Sequence, residues 1–162
     1  MKDSNVRNNS GDDWKTPDDF YNKLDKIFHF DFDPCPYQST FDGLNIEWGG
    51  GCNYVNPPYS RKLKEAFIKK ALEESKKGKI CVLLLPVSTA TIIFHEIILP
   101  NATKIEFLKG RLKFEQKDEN GVFKSKGCGQ HDSMIVIFGN LKNIPAKIMN
   151  DELELGEYPL FE

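Results

Sequence analysis

The sequence predicts an α/β domain in which helices pack on the faces of a mainly parallel β-sheet. Segments with helical spacing of apolar residues alternate with short strand-like segments, and residues 80–85 are too uniformly apolar to have a solvent-exposed side. The 162 residues suffice for one domain with a single core, and 40% hydrophobic residues exclude a disordered or collagen-like chain.

The first predicted helix covers residues 17–28. Thr16 stands where an N-cap belongs and Pro17 where the first helical residue belongs, and apolar side chains follow at helical spacing. Residues 30–33 then alternate apolar and acidic side chains, which predicts a short strand that ends at Pro34.

The middle of the chain predicts a strand, a helix and a second strand in succession. Residues 52–55 form the first strand, and the two prolines in residues 56–59 end it because proline cannot donate to a β-ladder. Apolar residues at helical spacing predict a helix over residues 61–77, with Gly78 as its C-terminal cap. Residues 79–86 predict a central parallel strand.

The last third of the chain contains four predicted elements: a helix over residues 91–99, strands over residues 103–108 and 133–138, and between the strands a basic β-hairpin over residues 111–126. In the hairpin segment, Leu112 and Phe114 alternate with basic residues, and Asn120-Gly121 supplies a hairpin-type turn.

The chain divides into one domain, residues 14–150, and two polar ends. Residues 1–13 lack any apolar period and are predicted to be disordered, and residues 151–162 form an acidic tail. No apolar run approaches the roughly 18 residues of a membrane-spanning helix, and the polar start does not resemble a secretory signal. We therefore expect a cytoplasmic protein without a membrane partner.

The net charge of −2 conceals two basic segments. Residues 61–79 carry eight basic and three acidic side chains, and residues 104–126 carry seven and four. These segments permit a polyanion as a partner without requiring one. The four cysteines are too sparse for a disulfide scaffold and form no paired metal-binding knuckle, so we predict reduced thiols and no metal site.

Two unusual loops follow predicted strands, where open α/β sheets bind ligands: residues 33–35 and residues 56–59. In the second loop, Pro57 and Pro58 give a stiff backbone whose carbonyl oxygens lack ladder partners, and Asn56 adds an amide oxygen. Tyr59 adds a flat face that suits stacking on a planar ring. Asn-Pro is also a common turn marker, so a simple turn is the alternative.

These groups suit the activation of an exocyclic amine on a planar heterocycle. Such an amine is a poor nucleophile because its lone pair is delocalised into the ring. If the Asn56 amide oxygen and the Pro57 carbonyl accept its two N–H bonds, the lone pair becomes available to attack an electrophilic methyl group, and close positioning contributes further rate.

Several motifs together resemble the phage-type DNA N6-adenine methyltransferase family. The resemblance covers about residues 14–139 and rests on the order and spacing of these motifs: Trp14-Lys15-Thr16-Pro17, Phe32-Asp33-Pro34-Cys35, Asp42-Gly43-Leu44, Trp48, Asn56-Pro57-Pro58-Tyr59-Ser60, Leu84-Leu85-Pro86, Gly110-Arg111 with Phe114, and Ser133. It implies a Rossmann-like methyltransferase fold, S-adenosylmethionine as methyl donor, and transfer to adenine N6 in DNA in a bacterial or phage-infected host cell.

The resemblance also implies roles for individual residues. The catalytic motif comprises Asn56, Pro57, Pro58 and Tyr59, with the target base flipped out of the stack onto Tyr59. The cofactor residues are Thr16, Pro17, Asp33, Pro34 and Cys35. A helix start at Thr16 would also offer free N–H groups to the cofactor carboxylate, although an N-cap needs no ligand.

The chain departs from methyltransferases at large in two ways. Residues 32–36 contain no glycine, and only 22 residues separate Asp33 from Asn56, too few for two further strand–helix units. The predicted fold is therefore an abbreviated one. Asp42 is the best placed acid for the cofactor ribose, although an acid before glycine is as often a turn residue.

Two groups of basic residues are candidates for contacts with DNA phosphates: Arg61, Lys62 and Lys64 after the proline loop, and Arg111, Lys113, Lys124 and Lys126 in the hairpin segment. A solvated helix face is the alternative for the first group.

Two rival functions remain open. The acceptor chemistry also suits cytosine N4, an RNA base or a protein side-chain amide as substrate. The missing glycine loop and the short sheet would also fit a non-catalytic nucleic-acid-binding module. The sequence does not predict an oligomeric state or a recognition site.

Overall fold

The computed structural model describes residues 13–125 and 131–143, which form an α/β arrangement. The helices are α1 (Asp18–Phe28), α2 (Arg61–Lys76) and α3 (Leu99–Asn101), which continues a π-helical turn at Phe94–Ile98, and a 3₁₀ turn lies at Leu141–Asn143. The strands are β1 (Cys52–Val55), β2 (Ile80–Pro86), β3 (Lys104–Phe107), β4 (Glu115–Lys117), β5 (Phe123–Ser125) and β6 (Ser133–Phe138). Most of these bounds lie within one or two residues of the predicted ones.

The main sheet has four strands in the order β1-β2-β6-β3. β1 pairs with β2 in parallel, whereas β6 pairs antiparallel with both β2 and β3. The sheet is therefore mixed, and the prediction of a mainly parallel sheet is not confirmed. β1, β2 and β3 still point in one direction, because β6 alone is reversed between β2 and β3.

The strand predicted over residues 30–33 is reduced to a single parallel bridge between Phe32 and Asn53 at the outer side of β1. Asp31 N–H donates to the Cys52 carbonyl over 3.0 Å, and Tyr54 N–H donates to the Phe32 carbonyl over 3.0 Å. Because Pro34 has no N–H, the pairing cannot continue. The bridge nevertheless places the end of this segment beside the end of β1.

The sheet separates two hydrophobic clusters because successive side chains of a strand point to opposite faces. In β2, Leu83 and Leu85 pack on the face covered by α2, while Val82 and Leu84 pack on the face covered by α1. Each such side chain is 2% exposed or less and contributes about 1.5 to 3 kcal/mol by burial. The predicted apolar strand is thus buried on both sides.

Helix α1 begins one residue later than predicted. Pro17 occupies the N-cap position and no side-chain hydrogen bond caps the helix, so the predicted N-cap role of Thr16 is wrong. Phe20, Leu24 and Phe28 form its buried stripe, as their spacing predicts. The hydroxyl of Thr16 has other partners, which lie in the candidate active site.

Strands β4 and β5 form the predicted hairpin, but in a shorter form that spans residues 115–125. These residues carry two basic and three acidic side chains, and Lys124 is paired with Asp118 at 2.8 Å. The prediction that the hairpin is basic is therefore not confirmed. Its first strand also pairs with Lys15. The Lys15 N–H donates to the Glu115 carbonyl over 2.9 Å, and the Glu115 N–H donates to the Lys15 carbonyl over 3.1 Å.

An ion network is buried at the C-terminal end of α2. The Glu74 carboxylate is fully buried and contacts the ammonium groups of Lys70 at 2.9 Å, Lys77 at 3.1 Å and Lys79 at 2.5 Å. Burial works to raise the pKa of Glu74, but the hydrogen bonds from these lysines outweigh it and lower the pKa to about 2. The carboxylate is therefore charged at neutral pH.

Candidate active site

The two unusual loops lie side by side at the carboxyl end of the sheet. The bridge between Phe32 and Asn53 places the loop at residues 33–35 next to the loop at residues 56–59. The Cys35 thiol donates to the backbone carbonyl of Asn56 over 3.2 Å, which joins the loops directly. The two loops are therefore adjacent, and their contribution to one site stays a prediction.

A cavity of about 240 Å³ opens where the loops meet. Four of the predicted site residues line it: Thr16, Asp33, Cys35 and Asn56. The cavity is also lined by aromatic side chains that sequence reasoning missed, namely Trp14, Tyr21, Tyr37 and Tyr54. The sequence held a signal for Tyr54, because it lies two residues before Asn56 and alternate side chains of an extended chain point to the same side.

The side-chain amide of Asn56 is held by the N-terminal segment. Its Nδ2 donates to the Trp14 carbonyl and to the Thr16 Oγ1, each over 3.1 Å, and the residue is 6% exposed. Both N–H bonds of the amide are thereby used. The amide oxygen consequently lies on the side turned away from Trp14 and Thr16.

Tyr54 supports this arrangement from within the core. Its hydroxyl lies 2.6 Å from Thr16 Oγ1, and its side chain is 2% exposed. Burial raises the pKa of Tyr54 well above its usual value, although the hydrogen bond with Thr16 works to lower it. The phenol therefore keeps its proton at neutral pH.

The rest of the Asn-Pro-Pro-Tyr loop is firmly packed. Pro57 and Pro58 are buried and Tyr59 is half-buried. The Tyr59 ring meets the Phe114 ring edge to face, with centroids 5.9 Å apart and planes at 88°. This contact holds the ring of Tyr59 in a defined orientation.

The loop at residues 33–35 is shaped by its neighbours. The Cys35 N–H donates to Asp33 Oδ1 over 2.9 Å, which closes a tight turn. Gly43 packs so closely on this loop that an added Cβ would lie 1.9 Å from the Pro34 carbonyl oxygen. Any side chain at Gly43 would therefore displace the loop.

Three predicted cofactor residues do not line the cavity: Asp42, Pro17 and Pro34. The Asp42 carboxylate accepts hydrogen bonds from the Leu44 N–H at 3.0 Å and from the Asn45 side chain. It thus closes its own turn, and its contact with a cofactor ribose stays a prediction. Pro17 and Pro34 do not line it either, although their sequence neighbours Thr16, Asp33 and Cys35 do.

The predicted DNA-binding residues lie at two places on the surface. Arg61 and Lys64 line a second cavity of about 380 Å³ beside the end of β2, and Lys62 is exposed next to them. Arg111 and Lys113 are exposed, while Leu112 and Phe114 between and after them are buried. Because Phe114 contacts Tyr59, this second group also lies near the Asn-Pro-Pro-Tyr loop.

Some of these cations already have partners. Arg61 contacts Glu65 at 3.0 Å, Arg111 contacts Asp132 at 3.1 Å, and Lys124 contacts Asp118. Lys126 lies outside the described residues. Their role in DNA binding stays a prediction.

Metal binding and thiolate chemistry have no support among the described residues. Within residues 13–125 and 131–143, no three metal-binding side chains cluster, and Cys128 lies outside these ranges. Burial raises the pKa of both Cys52 and Cys81 to about 12, so these thiols stay protonated. None of the helices in the described ranges is long and apolar enough to cross a membrane.

Two comparisons with known proteins bear on this site. Residues 3–154 match the model of the protein family described as DNA N-6-adenine-methyltransferase (Dam). The chain is also similar to the DNA N-6-adenine-methyltransferase of Haemophilus phage HP1 (strain HP1c1), with 29% identity over 143 residues that cover 74% of this chain and 79% of the phage protein. Because the family model matches most of the chain, the protein belongs to the DNA N-6-adenine-methyltransferase family.

Proposed function

We propose that the protein uses S-adenosylmethionine to methylate N6 of an adenine in DNA, with the base flipped into a pocket at Asn56, Pro57, Pro58 and Tyr59. The observation that carries this proposal is the buried Asn56 amide, whose two N–H bonds are used by Trp14 and Thr16. Because Nδ2 is committed to these partners, Oδ1 is the end of the amide that we assign to the substrate amine. An acceptor at this place is what the chemistry of an aromatic amine requires.

The cavity between the loops is the proposed cofactor site, because its lining has the chemistry that S-adenosylmethionine requires. Asp18 and Asp33 supply carboxylates for the cationic ammonium and sulfonium groups, and Lys15, which contacts Asp18 at 2.7 Å, supplies a cation for the carboxylate. Aromatic faces along the lining suit both the sulfonium and the adenine ring. When bound, S-adenosylmethionine supplies the electrophilic methyl group of the reaction.

The chain's own residues would prepare the amine for attack. Asn56 Oδ1 and the Pro57 carbonyl accept hydrogen bonds from its two N–H groups, which localises the lone pair on nitrogen. Tyr59 stacks on the flipped base, and its edge-to-face contact with Phe114 keeps the ring in place. The buried prolines keep both acceptors fixed, so little reorganisation is needed during the reaction.

We also propose that the sheet is an abbreviated Rossmann-like one. The Phe32 bridge, β1, β2 and β3 point in one direction, and only β6 is reversed. The segment at Phe32 and strand β1 both end at the proposed site. Open α/β sheets bind ligands at such strand ends.

An acceptor assay tests this function directly. The full chain is incubated with S-adenosylmethionine that carries a labelled methyl group, together with DNA, RNA or a protein mixture. We expect label on DNA alone and, after digestion to nucleosides, in N6-methyladenine. Label in N4-methylcytosine, RNA or protein would support one rival substrate, and no label on any acceptor would support a binding module.

Replacing Asp33 with asparagine should weaken the binding of S-adenosylmethionine about tenfold, because the substitution removes a charge that faces the cofactor's cationic groups. The asparagine can still accept the hydrogen bond from the Cys35 N–H that closes the turn. Isothermal calorimetry measures the change.

The matched control for this variant is Asp25→Asn. Asp25 Oδ1 also accepts a backbone hydrogen bond, from the Phe30 N–H over 2.9 Å, but Asp25 does not line the cavity. Asp25→Asn should bind the cofactor as the wild type does. Equal affinities for all three proteins would place the cofactor elsewhere.

Neutralising Arg111 and Lys113 together should weaken DNA binding and lower the slope of log K against log salt by about 1 for each phosphate that is no longer neutralised. Both side chains are exposed on the segment whose Phe114 contacts the catalytic loop. Fluorescence anisotropy at several salt concentrations measures the slope.

The control removes two positive charges from a distant surface, with Lys69→Gln and Lys76→Gln. Both lysines are exposed, and Lys76 is the last residue of α2, at the end opposite the catalytic loop. The control should leave the slope nearly unchanged. An equal effect of both pairs would mean that only net charge matters.

A further inference from the structure

We infer that residues 14–16, held by β4 and by Tyr54, are a positioning element that fixes which end of the Asn56 amide faces the substrate. This inference rests on the proposed function, in which the amide oxygen accepts a hydrogen from the adenine amine. It assigns roles to Trp14, Thr16 and Tyr54 that act through Asn56.

The need for such an element follows from the shape of a side-chain amide. Its oxygen and its NH₂ group are similar in size, so rotation by half a turn exchanges them with little change in packing. Only the oxygen can accept a hydrogen bond from an amine N–H group. In the reversed orientation, N–H bonds of Asn56 would oppose those of the substrate.

The Trp14 carbonyl distinguishes the two orientations. A carbonyl oxygen has no hydrogen to donate, and it lies 3.1 Å from Asn56 Nδ2. In the reversed orientation, Oδ1 would take that place, and two acceptors would face each other in a buried setting. Neither oxygen would then have a donor, so this contact disfavours the reversed orientation.

Strand β4 determines the direction of that carbonyl. The peptide group between Trp14 and Lys15 is planar, and in a trans peptide the C=O and the N–H point in opposite directions. The Lys15 N–H is anchored to the Glu115 carbonyl over 2.9 Å. The Trp14 C=O must therefore point away from β4, and on that side it meets Asn56.

Thr16 and Tyr54 hold the second N–H bond of the amide. A hydroxyl can donate or accept, so Thr16 alone would not select an orientation. Its Oγ1 is fixed by the Tyr54 hydroxyl at 2.6 Å, and Tyr54 lies on β1 two residues before Asn56. The contacts therefore link Asn56 through Thr16 back to Tyr54, which lies on the strand that leads into the Asn56 loop.

The test removes each hydroxyl with little change in shape, through Thr16→Val and Tyr54→Phe. The readout is the single-turnover rate of DNA methylation at saturating S-adenosylmethionine, which separates positioning from cofactor affinity. Each variant should lower this rate about tenfold, because a freer amide spends less time in the productive orientation. Thr16→Ser keeps the hydroxyl and should retain most of the wild-type rate.

A double-mutant cycle separates a shared role from independent damage. Since both hydroxyls act through one amide, the Thr16→Val/Tyr54→Phe protein should be nearly as active as either single variant. Multiplication of the two effects would overturn the inference. In parallel, the side-chain NH₂ signals of Asn56, assigned in ¹⁵N spectra by their disappearance in Asn56→Ala, should exchange with solvent faster in both single variants.

The outcomes also separate this inference from the proposed function. If the wild type methylates no DNA adenine, or Asn56→Ala keeps the wild-type rate, the proposed function is wrong. If the wild type is active and Asn56→Ala is impaired, but Thr16→Val and Tyr54→Phe both keep the wild-type rate, only the positioning role is wrong.

Discussion

Replacing Asn56 with alanine should lower the rate of methyl transfer by a factor on the order of 10² or more, because the substitution removes a preorganised acceptor for the reacting amine. The substitution also removes two hydrogen bonds, to Trp14 and Thr16, which costs about 1 to 3 kcal/mol of stability in total. Single-turnover methylation and thermal unfolding measure the two effects separately.

Asn53→Ala provides a matched control for this variant. Asn53 lies on β1, three residues before Asn56, is fully buried, and donates from Nδ2 to the carbonyls of Gly49 and Ile80. It does not line the cavity between the loops. Asn53→Ala should therefore lose similar stability and far less activity. If both variants lose activity in proportion to stability, Asn56 is a structural residue.

Replacing Glu74 with glutamine should lower the free energy of unfolding at neutral pH by about 3 to 5 kcal/mol. The substitution keeps the size of the side chain but leaves the ammonium groups of Lys70 and Lys79 without a buried counter-charge. For a chain of this length, such a decrease corresponds to a fall in Tm of about 10 °C. Urea unfolding followed by circular dichroism measures it.

The acid dependence of stability provides a second readout for Glu74. Its pKa is lowered from 4.5 to about 2 in the folded protein, so its contribution is complete above pH 4.5 and is lost as the pH falls towards 2. In the wild type, stability should fall more steeply across this range than in Glu74→Gln. Glu73→Gln is the control, because Glu73 is the exposed neighbour on the same helix. Parallel acid profiles of the wild type and Glu74→Gln would contradict the assignment.

Much of the local structure could be predicted because it depends on neighbouring residues. The stripe of Phe20, Leu24 and Phe28 fixes α1, and the alternation around Leu112 and Phe114 correctly separates buried from exposed side chains. The order and spacing of the loop motifs likewise indicated the family, which the family model confirms. Such patterns are complete within a short stretch of chain.

Contacts between distant residues could not be predicted in the same way. Thr16 has the right neighbours for an N-cap, but its hydroxyl is used by Tyr54, 38 residues later. The position of β6 depends on its pairing with β2 and with β3, two strands that lie at different distances before it in the sequence. The prediction of a basic hairpin does not account for an ion pair within the hairpin, between Asp118 and Lys124.

The position of β6 between β2 and β3 also affects how the sheet can form during synthesis on the ribosome. β3 is synthesised before β6, yet β6 is its hydrogen-bonding neighbour and also covers the second edge of β2. Until Phe138 has emerged, the nascent chain presents open strand edges that can pair with other chains. The Asn-Pro-Pro-Tyr loop follows β1, and β1 pairs with β2. Within the described residues, the sheet that supports the Asn-Pro-Pro-Tyr loop is therefore complete only once β6 has been made, and a chain that ends before β6 should aggregate more readily than the full chain.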